Sequence, residues 1–565
     1  METILIDADR RIGGPYTLAS ALLARLVPAA LESAPELVAA HDIEIRAAAP
    51  ALRDVVPARR RSLADDLPRA QRVLVPGARR SLRMANGLAE FVRDHLTRTR
   101  RLTGPLTLRV TNLGEADHTD AELVAVLRRR LDPALLRVEE GSSAPGSGPL
   151  LADFDRYRDE GFHHAMAESG LEVLRGLAYE DDPERWQVLV QRVAAALEAI
   201  EREDEARDLY DRARRLSTDP KHRATIAYAT AMILVRHHDP AARDPEQALA
   251  WINEAVTITS LLPDPRERAF HLGFDLNGKA LVELRRGRRE SAMDLVAQAI
   301  ELAETHLRDE HPVHRLILYA NRAQLLALGG RREEALTDYD RAIAADPGYP
   351  DYYLDRGNLL HAMGRSAEAL ADYESVMRLS PPFPEAYYNR SEVRYAAGDL
   401  AGALADLDHT LELDPDFGPA YVNRCGLRVA AGDHARARQD VERGLSLAPH
   451  DPYLLCVLGQ VELAEERYPE SRLAFDRALE LDPELVAAWA GRAELAYERG
   501  DNELAVADLT RALKLGETAE LLFNRSLAYR AAGLTGQARQ DLLRAAELAP
   551  DDEDVRAALA EPADG

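Results

Sequence analysis

The sequence predicts a mainly α protein: a right-handed α-solenoid of about ten helix pairs, preceded by a small α/β domain. Three observations predict it. Proline recurs every 34 residues at Pro347, Pro381, Pro415, Pro449 and Pro483, and again at Pro550 after a one-residue deletion. Glycine marks the middle of the same unit at Gly330, Gly364, Gly398, Gly432, Gly500 and Gly533, with Glu466 the exception. The first 140 residues lack this beat and mix short apolar runs with helical periods.

Composition bounds the rest. The 565 residues carry a net charge of −25, with 46% hydrophobic and 30% charged residues, a globular balance rather than a disordered one. So acidic a chain is a poor ligand for nucleic acid, whose phosphates need clustered positive charge. Two cysteines, Cys425 and Cys456, exclude a disulfide framework and a Cys-rich zinc module, and at small or inward repeat positions they read as core fillers. No run of 18 apolar residues occurs, and METILIDADRR places acids where a signal peptide wants bases. The expectation is a cytoplasmic protein with no membrane partner. Lysine occurs only at Lys221, Lys279 and Lys514, so residues 1–220 can support no lysine chemistry. Such arginine and alanine bias is similar to that of high-GC, actinobacterial chains.

The elements follow in order. Residues 4–6 read as a strand, followed by a glycine turn in RRIGGPYTLASALL and a helix. Residues 106–110 read as a second strand, 119–131 as a helix and 135–139 as a third strand. Domain 1–140 is then a small α/β unit with net charge near zero, since residues 1–150 hold 22 Arg and 19 acids. The Ser/Gly/Pro stretch in 141–150 reads as a flexible linker at the changeover to a strongly acidic remainder. Residues 151–315 contain three looser helix pairs, near 183–217, 220–262 and 266–306. Seven regular units follow over 316–552, at 316–349, 350–383, 384–417, 418–451, 452–485, 486–518 and 519–552. Residues 553–565 remain as a tail.

Each regular unit predicts two amphipathic helices joined at the glycine and stopped by the proline, which cannot donate the helical hydrogen bond. Small residues at Ala335, Ala369, Ala403, Ala437, Ser471, Ala505 and Ala538 mark where paired helices cross closely. Tyr319, Tyr353, Tyr387, Tyr421 and Trp489 fill the space at the start of the first helix. This pattern of aromatic, small residue, glycine, alanine and proline resembles the tetratricopeptide repeat (TPR), over more than two fifths of the chain.

Arginine at the seventh repeat position and aspartate sixteen residues later occur together, in Arg322/Asp338, Arg356/Asp372, Arg390/Asp406, Arg424/Asp440, Arg492/Asp508 and Arg525/Asp541. Where one is lost, as at Leu458 and Ala474, so is the other. The joint loss predicts a structural salt bridge within each unit, because removing one partner would strand a charge. Just before those arginines stand Asn321, Asp355, Asn389, Asn423 and Asn524, while Val457 and Gly491 break the series. The TPR resemblance implies that this position faces a concave groove, where a ladder of carboxamides holds the main chain of an extended peptide. A carboxamide suits that role by offering both a donor and an acceptor. The same register places Asn358, Tyr388, Glu392 and Tyr395 in the groove. The other reading is that these side chains merely cap or solvate the helix surface. The groove has no lysine in the regular units, so a neutral or basic extended segment is the expected ligand.

In the first domain, VTNLGEADHTDAELVAVLRRRLDPALLRVEEGS has a cadence that resembles part of a signal-transduction (STAND-like) P-loop ATPase. Its chemistry is missing. The loop IGGPYTLAS has no lysine for the phosphates, and Thr111 and Asn112 stand where the acidic pair should be. The domain reads as a degenerate, non-hydrolysing remnant or as an unrelated small α/β unit. His163–His164 and His237–His238 have no carboxylate or Cys partner at ligand spacing in sequence, so no metal is expected. The arginine runs at 59–61 and 128–130 read either as solvated helix ends or as contacts to an acidic surface, this chain's own solenoid included.

The functional expectation is a non-catalytic scaffold or adaptor that binds a protein or peptide, with no catalytic residue and no cofactor. The N-terminal domain would dock, recruit, or support a homo-oligomer. The alternative is a nucleotide-responsive regulator whose N-terminal domain binds ATP without hydrolysing it efficiently.

Overall fold

A computed structural model describes residues 3–67, 79–99, 105–144, 146, 148–308 and 310–560. The chain divides into two compact bodies, Met1–Asn389 and Arg390–Gly565. Both are built mainly of paired helices in a TPR solenoid-like arrangement, and the first also holds a small parallel sheet.

The sheet has three strands, β1 (Thr3–Asp7), β2 (Leu106–Thr111) and β3 (Leu136–Glu140), in the order β1-β2-β3. All pairings are parallel, with Ile4 opposite Leu108 and Val110 opposite Glu140. Parallel neighbours need crossovers, supplied by helices Thr17–Ser33 and Arg80–Thr99 before β2 and by His118–Arg130 before β3. Leu106, Leu108 and Val110 are fully buried, as a central strand covered by helices should be. The strands and the last helix lie within a residue or two of the predicted spans, the usual uncertainty at element ends. The short helices Arg10–Gly13, Pro35–Ala40 and Asp42–Ala48 carry too few residues to show a period.

The stretch expected to be a loose linker is tied to the sheet. Gly141 N–H donates to the Val110 carbonyl at 2.7 Å, Asn112 Nδ2 to Ser143 Oγ at 2.8 Å, and Gly146 N–H to Asp9 Oδ2 at 2.6 Å. One buried apolar cluster runs from Ile4 through Phe162, Trp186 and Tyr210 to Ile233, joining the sheet to the helices that follow.

Those helices form pairs: Phe154–Glu160 with His163–Gly176, Pro183–Ala199 with Glu203–Leu216, Pro220–Arg236 with Pro245–Ser260, and Pro265–Arg285 with Arg289–Leu302. Four of them begin with Asp-Pro. Asp182, Asp219, Asp244 and Asp264 accept hydrogen bonds from first-turn amides, while the proline needs no donor there. Regular repeats continue the first body with Pro312–Leu328 and Arg332–Ala345, then Pro350–Ala362 and Ser366–Leu379.

The second body holds helix Leu400–Leu413 and then four pairs of the same kind, from Gly418–Ala430 with His434–Leu447 to Ala519–Ala531 with Thr535–Leu548. Across both bodies the turn glycines have φ between 74° and 79°, and Glu466 is driven to φ 59° in the same turn. Left-handed backbone costs a side-chain-bearing residue about 1 kcal/mol. The seven small residues at the helix crossings are all buried. The expected tail contains a further helix, Glu553–Ala560, whose Val555 packs on Leu522 and Ala545 and covers the end of the last unit. Residues 561–565, expected to fray, lie outside the described residues.

Candidate functional site

In five of the seven regular units the first helix carries both the arginine at position seven and a polar residue before it; unit 486–518 keeps only the arginine, and unit 452–485 has neither. Arg322, Arg356, Arg390, Arg424, Arg492 and Arg525 each place Nε and Nη2 on the two carboxylate oxygens of the aspartate sixteen residues on, at 2.6–3.0 Å. This is the bidentate geometry that suits a planar guanidinium. The aspartates are almost wholly buried.

The third arm of the guanidinium was not anticipated. Arg356 Nη1 reaches Asp340 at 2.6 Å, Arg424 Nη1 reaches Asp408 at 2.7 Å, and Arg492 Nη1 reaches Asp476 at 2.6 Å. Arg525 Nη1 reaches Thr510 Oγ1 at 3.1 Å instead. Each of these partners belongs to the preceding unit. One arginine thus closes its own helix pair and fastens it to its neighbour. The unit with Leu458 and Ala474 has lost its own pair yet stays fastened through Asp476. Asp406 and Asp440 gain a second cation, Arg394 at 2.8 Å and Arg428 at 2.6 Å.

Three of the polar residues at position six, Asp355, Asn389 and Asn423, pair with position nine of the unit before, 31 residues earlier. In the first body Gln324 Nε2 donates to Asp355 at 3.0 Å, and Asn389 Nδ2 donates to Asn358 Oδ1 at 2.8 Å. Asn358 Oδ1 also accepts from the Tyr373 hydroxyl at 2.8 Å. Asn321 Nδ2 donates to Asn277 at 2.9 Å. In the second body Asn423 Nδ2 approaches Glu392 Oε1 at 3.5 Å. Burial, outweighing the Gln324 hydrogen bond, pushes the Asp355 carboxyl up to about 6. Asn358 is exposed, Tyr388 half-buried, and Tyr395 exposed with 59% of its surface in solvent. Within each body, then, polar groups of neighbouring units are bonded to one another.

The glycine turn of the first domain leads to a different outcome. Helix Thr17–Ser33 points its first amides at the carboxylate of Asp120: Leu18 N–H donates at 2.7 Å and Ala19 N–H at 3.0 Å. Tyr16 N–H donates to Thr119 Oγ1 at 3.0 Å, whose hydroxyl donates to Asp117 at 2.8 Å. Asp120 is fully buried, and burial pushes its carboxyl up to about 7 against the pull of those amides. A helix start that could cradle phosphate is thus already filled by an acid of the same chain. At the position expected to hold an acidic pair, Asn112 bonds Asp7 and Ser143.

The histidine pairs separate. His164 stacks on His118 with ring centroids 3.7 Å apart, and burial pulls both His163 and His164 down to about 4. His237–His238 does have a carboxylate neighbour, which corrects the sequence expectation: Glu203 Oε2 lies 2.9 Å from His238 Nδ1, and ligand atoms of all three residues fall within 4.8 Å. The partner was invisible because it comes from the preceding helix pair. His237 Nδ1 is engaged as acceptor for Asp239 N–H at 3.1 Å. Burial pushes both Cys425 and Cys456 up to about 12, and Cys425 Sγ donates to the Ala437 carbonyl at 3.2 Å. Among the described residues no helix is long and apolar enough to cross a membrane.

Fold and repeat chemistry together define a helical-repeat protein. A family model for the tetratricopeptide repeat matches residues 354–416, 427–485 and 491–553, and a TPR-repeat model matches 323–364; these stretches are tetratricopeptide repeats. No curated protein matches the chain in sequence. Among solved structures it is similar to the Cut9–Hcn1 hetero-tetramer of the APC/C, at 15% identity and TM-score 0.40, over 72% of this chain and 88% of that one. Yeast Tom70 is similar at 15% identity and TM-score 0.35, over 71% of this chain and 95% of that one. A tetratricopeptide repeat protein from Parabacteroides merdae gives 20% identity and TM-score 0.31, over 51% and 97%.

Proposed function

We propose that this protein is a non-catalytic scaffold whose TPR faces bind an extended, neutral or basic protein segment. The observation that carries the reading is the pairing of polar side chains at positions six and nine across neighbouring units, which occurs within each body. Carboxamides meet a main chain without reading its side chains, and the surrounding acids favour a partner that is not itself acidic. The nucleotide-responsive alternative would require phosphate to displace the buried Asp120 carboxylate from the Leu18 and Ala19 amides. That exchange exposes unpaired groups on both sides and is costly.

The test is capture of partners from lysate of the native organism with the full chain, against the Asn389→Ala/Asn423→Ala double variant. A partner held by the wild type and lost by the variant, with melting unchanged, supports the scaffold. Identical capture by both proteins sinks the ladder.

A further inference from the structure

Within the first body the N-terminal part is docked on the repeats through a small set of contacts. Leu63 N–H donates to Asp346 Oδ1 at 2.9 Å, and Arg60 Nη1 donates to the Ser380 carbonyl at 3.2 Å. Arg60 is itself held by Asp42 at 2.7 Å and Glu44 at 2.5 Å, so the docked segment is braced from behind. From helix Arg80–Thr99, the Arg83 guanidinium lies over the Phe383 ring, 3.3 Å from its centroid.

Arg83 is mostly buried there, yet it is poorly paired. Its nearest carboxylate, Glu385, stands 3.8 Å away, and Glu385 Oε2 is buried without accepting a hydrogen bond. Asp351 and Tyr349 also act on the guanidinium electrostatically. Asp351 and Glu385 occupy the second position of consecutive units, at the start of the helix that carries the polar row. An aromatic face plus two acids is a site for a cation. A buried acceptor left open means that the present occupant does not use all the site offers.

A second observation marks the docking as built. The residue after the closing proline of unit 316–349 is Gly348, where later units have Pro382, Asp416, His450 and Glu484. A Cβ on Gly348 would lie 1.8 Å from the Arg61 carbonyl oxygen. Its backbone is not left-handed, so the turn itself does not require glycine. The N-terminal segment does.

We propose that Tyr349, Asp351, Phe383 and Glu385 form a seat for an arginine side chain, filled in cis by Arg83 and taken over by an arginine of the bound partner when the N-terminal part lifts off. The inference rests on the scaffold reading and narrows it: the partner segment carries arginine. Arg83 then acts as a competitor that lowers apparent affinity by the fraction of time the seat is occupied.

The probe is a fluorescein-labelled peptide, Gly-Ser-Gly-Arg-Gly-Ser-Arg-Gly-Ser-Gly, titrated by anisotropy against the full chain, with a lysine twin beside it. Gly348→Asp installs what another unit already carries and blocks docking; Arg83→Glu empties the seat whatever the docking does. Both are expected to bind the arginine probe about tenfold more tightly than wild type. Adding Glu385→Gln with Asp351→Asn should remove that gain, and the lysine twin should bind more weakly because it lacks the planar fork. Equal affinities for wild type, Gly348→Asp and Arg83→Glu overturn the seat. If wild-type binding is nonetheless lost in Asn389→Ala/Asn423→Ala, only the seat fails; if no variant binds the probe, the seat and the scaffold reading fall together.

Discussion

The sheet region at the start of the chain and the regular repeats both bury carboxylates, but they hold them in opposite ways. In the repeats Asp338, Asp372, Asp406, Asp440, Asp508 and Asp541 meet an arginine at a fixed separation of sixteen residues, and the bond recurs in every unit that keeps both partners. Near the sheet, Asp120 is held by amides about a hundred residues away and meets no cation among the described residues, while Asp42 and Glu44 share Arg60. The repeats spread stability over many equivalent bonds, so one unit can lose its pair and persist. The sheet region concentrates it in single-copy contacts.

Removing the single-copy contact should therefore cost the most. Asp120→Ala leaves the Leu18 and Ala19 amides buried and unpaired and should lower stability by about 3 kcal/mol, with Asp120→Asn milder. Denaturant melts of the two variants check this, and a loss under about 1 kcal/mol for the alanine would erase the contrast.

Within the repeats, redundancy should grade the cost. Arg492 bonds Asp508 and Asp476, and among the described residues no second arginine reaches Asp508, so Arg492→Ala should cost about 2 kcal/mol. Arg390→Ala and Arg424→Ala should cost less, about 1 kcal/mol, because Arg394 and Arg428 remain on the stranded aspartates. Equal losses at all three sites would show that the second cation does not compensate.

Buried acids of the looser helix pairs give a pH test. Burial pushes the Glu198 and Asp275 carboxyls up to about 7, from about 4 in the unfolded chain. Their protonated forms favour the folded state, so this contribution is complete below about pH 4 and is lost as pH rises through 7. Melting should occur at higher temperature at pH 5.5 than at 7.5, by the equivalent of about 2 kcal/mol for each of the two groups, and Glu198→Gln with Asp275→Asn should flatten the slope. A slope unchanged in the double variant would assign it elsewhere.

The smallest expected effect has the opposite sign. Glu466 adopts the left-handed turn that its six counterparts fill with glycine. Glu466→Gly should stabilise the second body by about 1 kcal/mol, read as a rise in its melting temperature. No rise would mean that the lost side-chain contacts matter as much as the strain.

The sequence by itself determined the fold class, the repeat, the turn positions and the Arg–Asp pairing, because each is a local event repeated at a fixed interval. Repetition turns a weak residue preference into a readable period. The three strands were legible from their apolar runs for the same reason, at the scale of a few residues. What only the tertiary structure decided are contacts without a period: Asp120 on the first-turn amides, Glu203 beside His237 and His238, the arginine arm that reaches the unit before, and Arg83 on Phe383. Each joins residues whose separation in the chain is arbitrary. Nothing in local propensity or spacing marks such partners, and only folding brings them within hydrogen-bonding distance.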